Sequence, residues 1–381
     1  MTDYTSDDFG FSFDEDEEAR EVPPPLPVGA TIGILGGGQL GRMLAVAAAR
    51  LGFKTHIYEP GANPPAAQVA NRVTTAPYDD EAALKAFGES VDVITYEFEN
   101  IPIETLDLLE DYAPIRPNSE ALRISQDRLM EKAFIEGCSL NIAPRAAVHN
   151  RLDLMVAIEM IGMPSILKTT RLGYDGKGQA LIKSEDDVDA ALEAMGGAPA
   201  VLEAFVEFER EISVIIARGT DGSVVSYDPG ENVHKGGILA TTTVPPALGE
   251  NRQKAARLAA QTLLEVLDYV GVMGVEMFVT PSGLLVNEFA PRVHNSGHWT
   301  QNGCTIDQFE QHIRAICGWP LGDGSRHSNV VMENLIGDDM DRVPDLAADP
   351  GNALHLYGKD EVKPGRKMGH VNRITGPAAK A

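Results

Sequence analysis

The sequence predicts an α/β unit with a parallel sheet, then a larger α+β region with antiparallel strands and a small β-rich unit at the C terminus. Three observations support this division. The chain has 381 residues, which is too long for one simple core. Short apolar runs alternate with helical stretches up to residue 117, a pattern typical of a parallel sheet covered on both faces. Beyond residue 200, strand-like runs follow one another directly, which favours antiparallel pairing.

The elements of the first unit are separated by glycine, proline and polar turns. Strands are predicted over residues 31–35, 54–59, 91–97 and 114–116, and helices over 39–51, 81–87, 103–112 and 119–136. We place the boundaries of the chain's segments at an acidic tail over 1–29, the parallel-sheet unit over 30–117, a central region over 118–320 and a C-terminal unit over 321–381.

The central region begins with a helix over 151–161 that Gly162 and Pro164 end. A second helix starts after Ser184, with acidic residues in its first turn, and a third covers 252–269. Strands are predicted over 165–169, 180–183, 200–206, 211–218, 224–228, 237–243, 271–279 and 284–289, and in the last unit over 328–336, 353–357 and 367–373. A subdomain over 144–206 carries a glycine-rich loop.

Charge and composition exclude several classes of protein. The net charge of −24 disfavours binding to nucleic acid or to anionic membranes. No apolar run approaches the ~18 residues of a membrane-spanning helix. Cys138, Cys304 and Cys317 are few and widely spaced, which argues against a disulfide framework or a zinc cluster and fits a reducing cytoplasm.

The N-terminal segment carries a disproportionate share of the negative charge. Residues 1–21 contain nine acidic residues against one arginine and run into Pro23, Pro24 and Pro25. We expect a disordered tail, and the acidic start excludes a signal peptide. Deleting residues 2–26 is therefore expected to leave activity within about twofold.

A glycine turn follows the first predicted strand. Gly36 to Gly41 match the pattern G-x-G-x-x-G between a strand and a helix, and Glu59 closes the next strand. Backbone N–H groups at such a helix start attract phosphate. The pattern fits a nicotinamide or flavin cofactor, another phosphate ligand, or a tight turn that needs glycine for packing.

A second glycine-rich loop joins two predicted strands. Residues 173–179 read Gly-Tyr-Asp-Gly-Lys-Gly-Gln, with Lys168 shortly before them. Such a loop can fold over a polyphosphate, with Lys168 and Lys177 as countercharges. It is not a P-loop, because no G-K-[ST] and no helix start follow. The alternative is a flexible hairpin tip.

Two acids are predicted to face each other across a hairpin. With Pro281, Ser282 and Gly283 as its turn, Glu276 lies opposite Glu288. The same register pairs Thr280 with Leu284 and Phe278 with Val286. Opposed carboxylates repel, and a magnesium ion would remove the conflict, so Glu288→Gln is expected to stabilise the free protein. The alternative is a shifted register with both acids in solvent.

Two clusters of polar residues come after the hairpin. Arg292, His294 and Asn295 provide donors suited to a small oxyanion, whereas Gly297 argues against a zinc site between His294 and His298. Near the C terminus, Lys359, Lys363, Arg366 and Lys367 form a basic island in an acidic protein, which favours a phosphate-bearing substrate over an ordinary solvated turn.

Taken together, these motifs resemble those of the N5-carboxyaminoimidazole ribonucleotide synthases, a family of the ATP-grasp superfamily. Segments 37–43, 173–179, 287–300 and 364–370 carry the resemblance, which spans residues 31–373. It implies an ATP-grasp fold with a Rossmann-like pre-ATP-grasp sheet, usually in a homodimer. It also implies a ligase that converts ATP, bicarbonate and 5-aminoimidazole ribonucleotide to N5-carboxyaminoimidazole ribonucleotide, ADP and phosphate through carboxyphosphate.

The resemblance implies a role for each matching residue. The ATP site would comprise Arg128, Lys168, Gly173, Tyr174, Asp175, Gly176, Lys177, Gly178, Gln179, Glu203, Ala204, Phe205, Val206, Glu211, His234, Asn287 and Glu288. Magnesium would lie at Glu276 and Glu288. Bicarbonate and carboxyphosphate would be surrounded by Tyr174, Asp175, Arg292, His294 and Asn295. The ribonucleotide would meet Gly38, Gln39, Leu40, Lys359, Arg366 and Lys367.

Some alternatives stay open at the level of sequence. Asp175 or a phosphate group accepts the proton from the substrate amine, and the amine meets carboxyphosphate or carbon dioxide released from it. Three other functions compete: a formate-using ATP-grasp ligase, a Rossmann oxidoreductase and a non-catalytic nucleotide sensor. The acidic first thirty residues and the end of the chain soon after Arg373 depart from the family pattern.

Overall fold

The first unit is a four-stranded parallel sheet with the strand order β3-β2-β1-β4 in a computed structural model that describes residues 22–173 and 178–378. Its strands are β1 (Thr31–Leu35), β2 (Lys54–Tyr58), β3 (Arg72–Thr74) and β4 (Val93–Tyr96), and its helices are α1 (Gln39–Arg50), α2 (Glu81–Gly88) and α3 (Ile103–Leu109). The predicted parallel sheet is confirmed. The predicted strand over 114–116 is wrong, because only one bridge, between Ile94 and Ile115, forms there.

One long helix was predicted over 119–136, but the structure has two helices there, so the prediction of a continuous helix is wrong. They are α4 (Ser119–Ser125) and α5 (Arg128–Gly137). The Asp127 side chain accepts hydrogen bonds from the N–H groups of Leu129 and Met130 and so begins a new helix. N-capping of this kind favours a break that helix propensity alone does not reveal. The break places Arg128 in the first turn of α5.

A small antiparallel sheet follows, with the strand order β5-β8-β6-β7. It consists of β5 (Arg145–Val148), β6 (Ser165–Thr169), β7 (Gln179–Ile182) and β8 (Ala200–Ala204), covered by α6 (Arg151–Ile161) and α7 (Val188–Met195). The glycine-rich loop joins β6 to β7. Tyr174, Asp175, Gly176 and Lys177, predicted to bind ATP, lie outside the described residues.

The largest element is an antiparallel sheet that carries the predicted metal site. Its strand order is β14-β13-β9-β11-β12-β15-β17-β16, and β10 pairs with β9. The strands are β9 (Arg210–Arg218), β10 (Val224–Ser226), β11 (Gly230–Lys235), β12 (Ile238–Val244), β13 (Gly271–Thr280), β14 (Gly283–Ala290), β15 (Ser328–Ile336), β16 (Asn352–Leu356) and β17 (Lys367–Pro377). The helices are α8 (Glu250–Val266), α9 (Thr300–Gly303), α10 (Gln308–Ile316) and α11 (Val343–Ala348). Short 3-10 turns lie at Pro65–Gln68, Glu185–Asp187, Asn295–Gly297 and Gly337–Arg342.

The C-terminal strands extend the central sheet. β12 pairs with β15, and β15 pairs with β17. The predicted C-terminal unit therefore shares hydrogen bonds with the predicted ATP-binding region. The domain boundaries themselves stay a prediction.

Part of the predicted tail is packed against the body of the protein. The Leu26 N–H donates to the Cys317 carbonyl at 2.8 Å, and Trp319 Nε1 donates to the Leu26 carbonyl at 2.9 Å. Residues 22–29 were assigned to the disordered tail from the proline run, and for Leu26 that assignment is wrong. Residues 1–21 lie outside the described residues.

The structure also bears on the cysteines and on membrane-spanning helices. The thiols of Cys138, Cys304 and Cys317 are free. Within the part of the chain that the structure describes, no helix has both the length and the apolarity needed to cross a bilayer.

Candidate active site

Glu276 on β13 lies directly opposite Glu288 on β14, as the sequence predicts. The rest of the predicted register is wrong: Thr280 pairs with Gly283 and Phe278 pairs with Leu285. The hairpin loop has two residues rather than three, which shifts the register by one. A β-bulge lies between the Met277–Val286 pair and the Glu276–Glu288 pair. It adds one residue to β14 and so brings the two acids opposite each other.

The two carboxylates have different electrostatic surroundings. Removal from water and the charge of Glu288 raise the pKa of Glu276 to about 8. Burial acts in the same direction on Glu288, but Arg128, Lys132 and Lys168 outweigh it and lower its pKa. Arg128 Nη1 lies 3.2 Å from Glu288 Oε2. The acid without a strong cationic partner is therefore Glu276.

A buried ion network lies beside this pair. Lys168 Nζ is 2.6 Å from Glu203 Oε2, and Lys132 Nζ is 3.7 Å from Glu203 Oε1. Burial opposes ionisation of Glu203, but the two lysines lower its pKa to about 2. Burial lowers the pKa of Lys168. Lys132 of α5 and Lys168 of β6 thus place two ammonium groups where a polyphosphate could compete with Glu203 for them.

The other residues predicted to bind ATP lie on several separate elements. His234 Nδ1 is 2.6 Å from Glu211 Oε2 across β11 and β9, and the charges of both residues act on Glu276. Ala204 ends β8, so the strand predicted to reach Val206 stops earlier. Phe205 lies beyond it with 43% of its surface exposed. The Asn287 carbonyl accepts a hydrogen bond from Lys132. Gly173 and Gly178 flank the undescribed part of the loop, and Gln179 begins β7.

The segment after β14 contains two further predicted site residues, His294 and Arg292. His294 Nε2 lies 3.7 Å from Glu276 Oε1, and burial with the nearby Arg292 charge holds its pKa well below the ordinary value, so the ring is neutral. Arg292 Nη2 is 2.8 Å from Glu99 Oε1, and Arg292 Nη1 donates to the Val293 carbonyl at 3.0 Å. These bonds fix the plane of the guanidinium.

Asn295 is placed differently from its predicted neighbours. Its side chain is buried, and it exchanges two hydrogen bonds with Asn334 of β15, at 2.9 and 2.7 Å. The structure therefore uses this amide to connect the segment to the central sheet, whereas His294 faces Glu276 and Arg292 pairs with Glu99. The roles of these residues in binding ATP, bicarbonate or magnesium stay predictions.

The glycine turn is occupied by carboxylates of this chain. Gly37 N–H donates to Glu59 Oε2 at 2.8 Å, and Gly38 N–H donates to Glu97 Oε1 at 2.6 Å. Gly41 N–H donates to the other oxygen of Glu97 at 3.2 Å. A Cβ on Gly41 would lie 2.8 Å from the Gly36 carbonyl oxygen, which explains the need for glycine at that position. A dinucleotide phosphate would have to displace these acids from Gly37, Gly38 and Gly41, which favours the alternative of a tight turn over a cofactor site.

The predicted ribonucleotide residues fall into two groups. Gln39 begins α1, whereas the Leu40 side chain is buried in the core and leaves only its backbone for a ligand. In the basic island, Lys359 Nζ donates to the Lys367 carbonyl at 2.6 Å and lies 5.6 Å from the Tyr357 ring centroid. Arg366 Nη1 donates to the Glu361 carbonyl at 3.1 Å. The Lys367 charge acts on both Glu276 and His294, so the island adjoins the acidic pair.

Sequence reasoning missed four residues of this site. They are Glu97, Glu99, Glu131 and Lys132. The signal available for Glu97 was its position after β4, since β4 pairs with β1 and their carboxyl ends meet at one edge. For Lys132 the signal was its spacing of four residues from Arg128, which places both on one face of a helix.

The donor set suits a cation that also binds nucleotide. Across residues 22–173 and 178–378, no group of three or more His, Cys, Asp or Glu side chains is arranged to hold a metal ion. Two facing carboxylates are what magnesium takes from a protein when phosphates and water supply its other ligands. The arrangement therefore fits a magnesium–nucleotide complex better than a zinc centre.

Known families match the chain almost from end to end. The ribonucleotide synthetase preATP-grasp domain matches residues 29–126, and the ATP-grasp domain matches residues 133–309. The phosphoribosylaminoimidazole carboxylase C-terminal domain matches residues 330–381. The first match covers the parallel sheet, the second covers the small antiparallel sheet and β9 to β14 of the large sheet, and the third covers most of β15 together with β16 and β17 of that large sheet.

Individual relatives give the same result. An N5-carboxyaminoimidazole ribonucleotide synthase from Brucella melitensis is 56% identical, over 92% of this chain and 97% of the relative. The crystal structure of an N5-carboxyaminoimidazole ribonucleotide synthetase in complex with ADP has a TM-score of 0.90 and 44% identity, covering 92% of this chain and 94% of the other. The synthase from Aspergillus clavatus, solved with ADP and 5-aminoimidazole ribonucleotide, has a TM-score of 0.87 and 29% identity, covering 92% and 94%. This chain belongs to the N5-carboxyaminoimidazole ribonucleotide synthase family of ATP-grasp enzymes.

Proposed function

We propose that this chain joins bicarbonate to the amine of 5-aminoimidazole ribonucleotide at the expense of ATP, in purine biosynthesis, using the residues around the Glu276–Glu288 pair. The observation that carries the proposal is this half-buried acidic pair with Arg128 beside Glu288 and His294 beside Glu276. Arg292 follows in the same segment, and its charge acts on His294. The family supports the reaction, and the relative from Aspergillus clavatus was solved with both ADP and 5-aminoimidazole ribonucleotide.

The first step makes bicarbonate reactive. A bicarbonate oxygen attacks the γ-phosphorus of ATP, the bond from that phosphorus to the β-phosphate oxygen breaks, and ADP leaves with carboxyphosphate as the other product. Lys168 and Arg128 hold the phosphates in line with the attacking oxygen. Glu276 and Glu288 would hold magnesium, which screens the phosphate charge when it is bound.

The second step transfers the carboxyl group. The amine nitrogen bonds to the carboxyl carbon, the bond from that carbon to the phosphate oxygen breaks, and phosphate leaves. The amine proton passes to Asp175 or to phosphate, and carbon dioxide released from carboxyphosphate is an alternative electrophile. The planar guanidinium of Arg292 orients the carboxylate oxygens, and neutral His294 donates or accepts a hydrogen bond without adding charge.

The substrate side of the site divides two tasks between two elements. Because Glu59 and Glu97 occupy the N–H groups of the glycine turn, we assign the substrate phosphate to Lys359, Arg366 and Lys367. The turn, with Gly38, Gln39 and the Leu40 backbone, then meets the uncharged part of the ribonucleotide. A homodimer and a cytoplasmic location are proposed from the family resemblance alone.

Phosphate release by the purified protein tests this function. We expect turnover of ATP only with magnesium, bicarbonate and 5-aminoimidazole ribonucleotide together. Lys168→Met should reduce turnover by about a hundredfold or more, because a phosphate countercharge is lost. Lys183→Met, at an exposed lysine of the same subdomain, is the matched control and should stay within about twofold.

Other outcomes would identify a competing function. Turnover supported by formate in place of bicarbonate would indicate a formate ligase. Nucleotide binding without turnover would indicate a sensor. Tight NADH binding would favour an oxidoreductase.

A further inference from the structure

The β-bulge in the hairpin determines whether the two acids share one face of the sheet. From Thr280–Gly283 to Met277–Val286 the pairing runs in one register, and from Glu276–Glu288 onward it runs in another. Asn287 has no cross-strand partner, so it is the extra residue. Without it, Glu276 would face Asn287, and Glu288 would point to the opposite face, because side chains alternate along a strand.

This bulge lies on the edge strand of the central sheet, where backbone groups of β14 have no neighbouring strand. Two side chains of α5 occupy that position instead. Lys132 Nζ donates to the Asn287 carbonyl, and Glu131 Oε1 accepts the Phe289 N–H at 2.8 Å. Just before the bulge, the Val286 N–H donates to the Asn141 carbonyl at 2.8 Å. The edge is thus paired on both sides of Asn287.

Both α5 side chains are unusually buried for charged groups. Glu131 is 3% exposed and Lys132 is 2% exposed. Burial raises the pKa of Glu131 to about 8, and a buried polar or charged group costs folding free energy unless partners compensate it. Their partners are backbone groups of the bulge and, for Lys132, the Glu203 carboxylate that also binds Lys168.

We propose that Glu131 and Lys132 are positioning residues that hold the bulge at Asn287, so that Glu288 faces Glu276 and the pair can bind a divalent cation with nucleotide. Neither residue touches the reacting atoms. The same helix also presents Arg128 to Glu288. The helix α5 therefore contacts both the backbone next to Glu288 and the Glu288 side chain. This inference rests on the proposed role of the acidic pair as the magnesium site.

Substitutions at Glu131 separate the hydrogen bond from the charge. Glu131→Gln keeps an oxygen that accepts the Phe289 N–H, whereas Glu131→Met keeps the volume and removes the acceptor. Lys132→Met likewise removes the donor to the Asn287 carbonyl. Ile135→Val, at a buried apolar residue of the same helix, controls for general loosening of α5.

The main measurement is the binding of Mn²⁺ in the presence of a non-hydrolysable ATP analogue, followed by electron paramagnetic resonance. We expect at least about tenfold weaker Mn²⁺ binding for Glu131→Met and Lys132→Met, comparable to the effect of losing a residue that orients a metal ligand. Glu131→Gln should stay within about threefold of wild type, and Ile135→Val should be unchanged. In steady-state assays of the Met variants, the magnesium activation constant should rise while the KM for the ribonucleotide stays constant.

A second measurement does not depend on turnover or metal. Hydrogen exchange of the Phe289 amide should be slow in wild type and in Glu131→Gln, and faster in Glu131→Met. Wild-type Mn²⁺ affinity in the Met variants, equal damage from Glu131→Gln and Glu131→Met, or fast exchange at Phe289 in the wild type would each overturn the inference. If the Met variants fail to fold, the wild-type and Gln exchange rates decide.

Failure of this inference can be distinguished from failure of the proposed function. A wild-type protein that shows the predicted exchange and Mn²⁺ pattern but no bicarbonate-dependent turnover would leave the bulge assignment standing and refute the reaction. Normal wild-type turnover together with unchanged Mn²⁺ binding in the Met variants would support the reaction and refute the bulge assignment.

Discussion

Glu276 and Glu288 face each other across β13 and β14, yet only one of them has a strong cationic partner. Glu288 lies 3.2 Å from Arg128, and the charges of Lys132 and Lys168 also favour its ionised form. Glu276 faces His294, which is neutral because its pKa is held well below the ordinary value. The repulsion between the two acids therefore disfavours the ionised form of Glu276 rather than that of Glu288.

Glu276→Gln should stabilise the nucleotide-free protein, and Glu288→Gln should not, contrary to the expectation from sequence. Because the pKa of Glu276 is raised to about 8 in the folded state, its carboxyl favours folding below about pH 4.5 and loses this contribution as the pH rises toward 8. The melting temperature of Glu276→Gln relative to wild type should thus increase between pH 5 and 8.5, by a few degrees. Glu288→Gln leaves Arg128 without its carboxylate and should melt earlier.

Calorimetry of both variants across this pH range checks the assignment. Both should lose magnesium-dependent turnover strongly. A Glu276→Gln protein that melts below wild type at pH 8.5 would show that the acid is structural.

Arg292→Lys should reduce bicarbonate-dependent turnover by about two powers of ten, although the charge is kept. The guanidinium is fixed by Glu99 and the Val293 carbonyl, and an ammonium cannot present two parallel N–H groups to a carboxylate. The comparison is with Arg252→Lys, at an exposed ion pair with Glu209, which should keep activity within about twofold. Near-normal bicarbonate kinetics in Arg292→Lys would remove Arg292 from the carboxylate site.

Two deletions should separate the acidic tail from the packed segment that follows it. Removal of residues 2–21 should leave turnover within about twofold and the melting temperature unchanged. Removal of residues 2–26 takes away the Leu26 bonds to Cys317 and Trp319 and should lower the melting temperature by roughly 2–6 °C. A large loss of turnover in the shorter deletion would mean that the acidic segment contributes to the enzyme's activity.

Three neighbouring buried histidines should make the stability of the protein depend on pH below neutrality. The ring of His370 lies 4.6 Å from those of His298 and His355, and burial lowers the pKa of all three, that of His355 to about 4. Since an unfolded histidine titrates near 6.5, the unfolded chain binds protons that the folded protein excludes. Stability contributed by these neutral rings is present above about pH 6.5 and is lost as the pH falls.

His355→Gln isolates this effect from the titration of the carboxylates. Glutamine can still donate to Asn302, which His355 contacts at 2.8 Å. Between pH 7 and 4.5, the melting temperature of the variant should fall less steeply than that of wild type. Parallel curves would show that His355 does not contribute to the acid sensitivity.

Local patterns were sufficient to predict the parallel sheet of the first unit and a hairpin that carries Glu276 and Glu288. Short apolar strands and glycine turns are local features, and Gly283 marks the hairpin turn. The bulge was not predictable in the same way, because its partners lie on α5, more than 150 residues earlier in the chain. Two errors in the hairpin, the loop length and the missing bulge, cancelled at Glu276 and Glu288.

Elements that depend on distant partners were missed. α10 buries Gln308, Glu310, Gln311 and His312, whose polarity suggests an exposed segment. Its amides are satisfied by distant backbone, as in the two bonds between Gln311 and Gly322. In the glycine turn, Glu97, which directly follows β4, accepts the Gly38 N–H, and a local sequence pattern does not reveal such a contact.

The most direct test of the account is transfer of an oxygen atom from bicarbonate to phosphate. Purified enzyme with ATP, magnesium, 5-aminoimidazole ribonucleotide and ¹⁸O-labelled bicarbonate should release phosphate that carries one labelled oxygen per turnover, in reactions short enough to limit exchange with water. This label follows from attack of a bicarbonate oxygen on the γ-phosphorus. Unlabelled phosphate formed in step with the carboxylated product would contradict a carboxyphosphate route at the Glu276–Glu288 site.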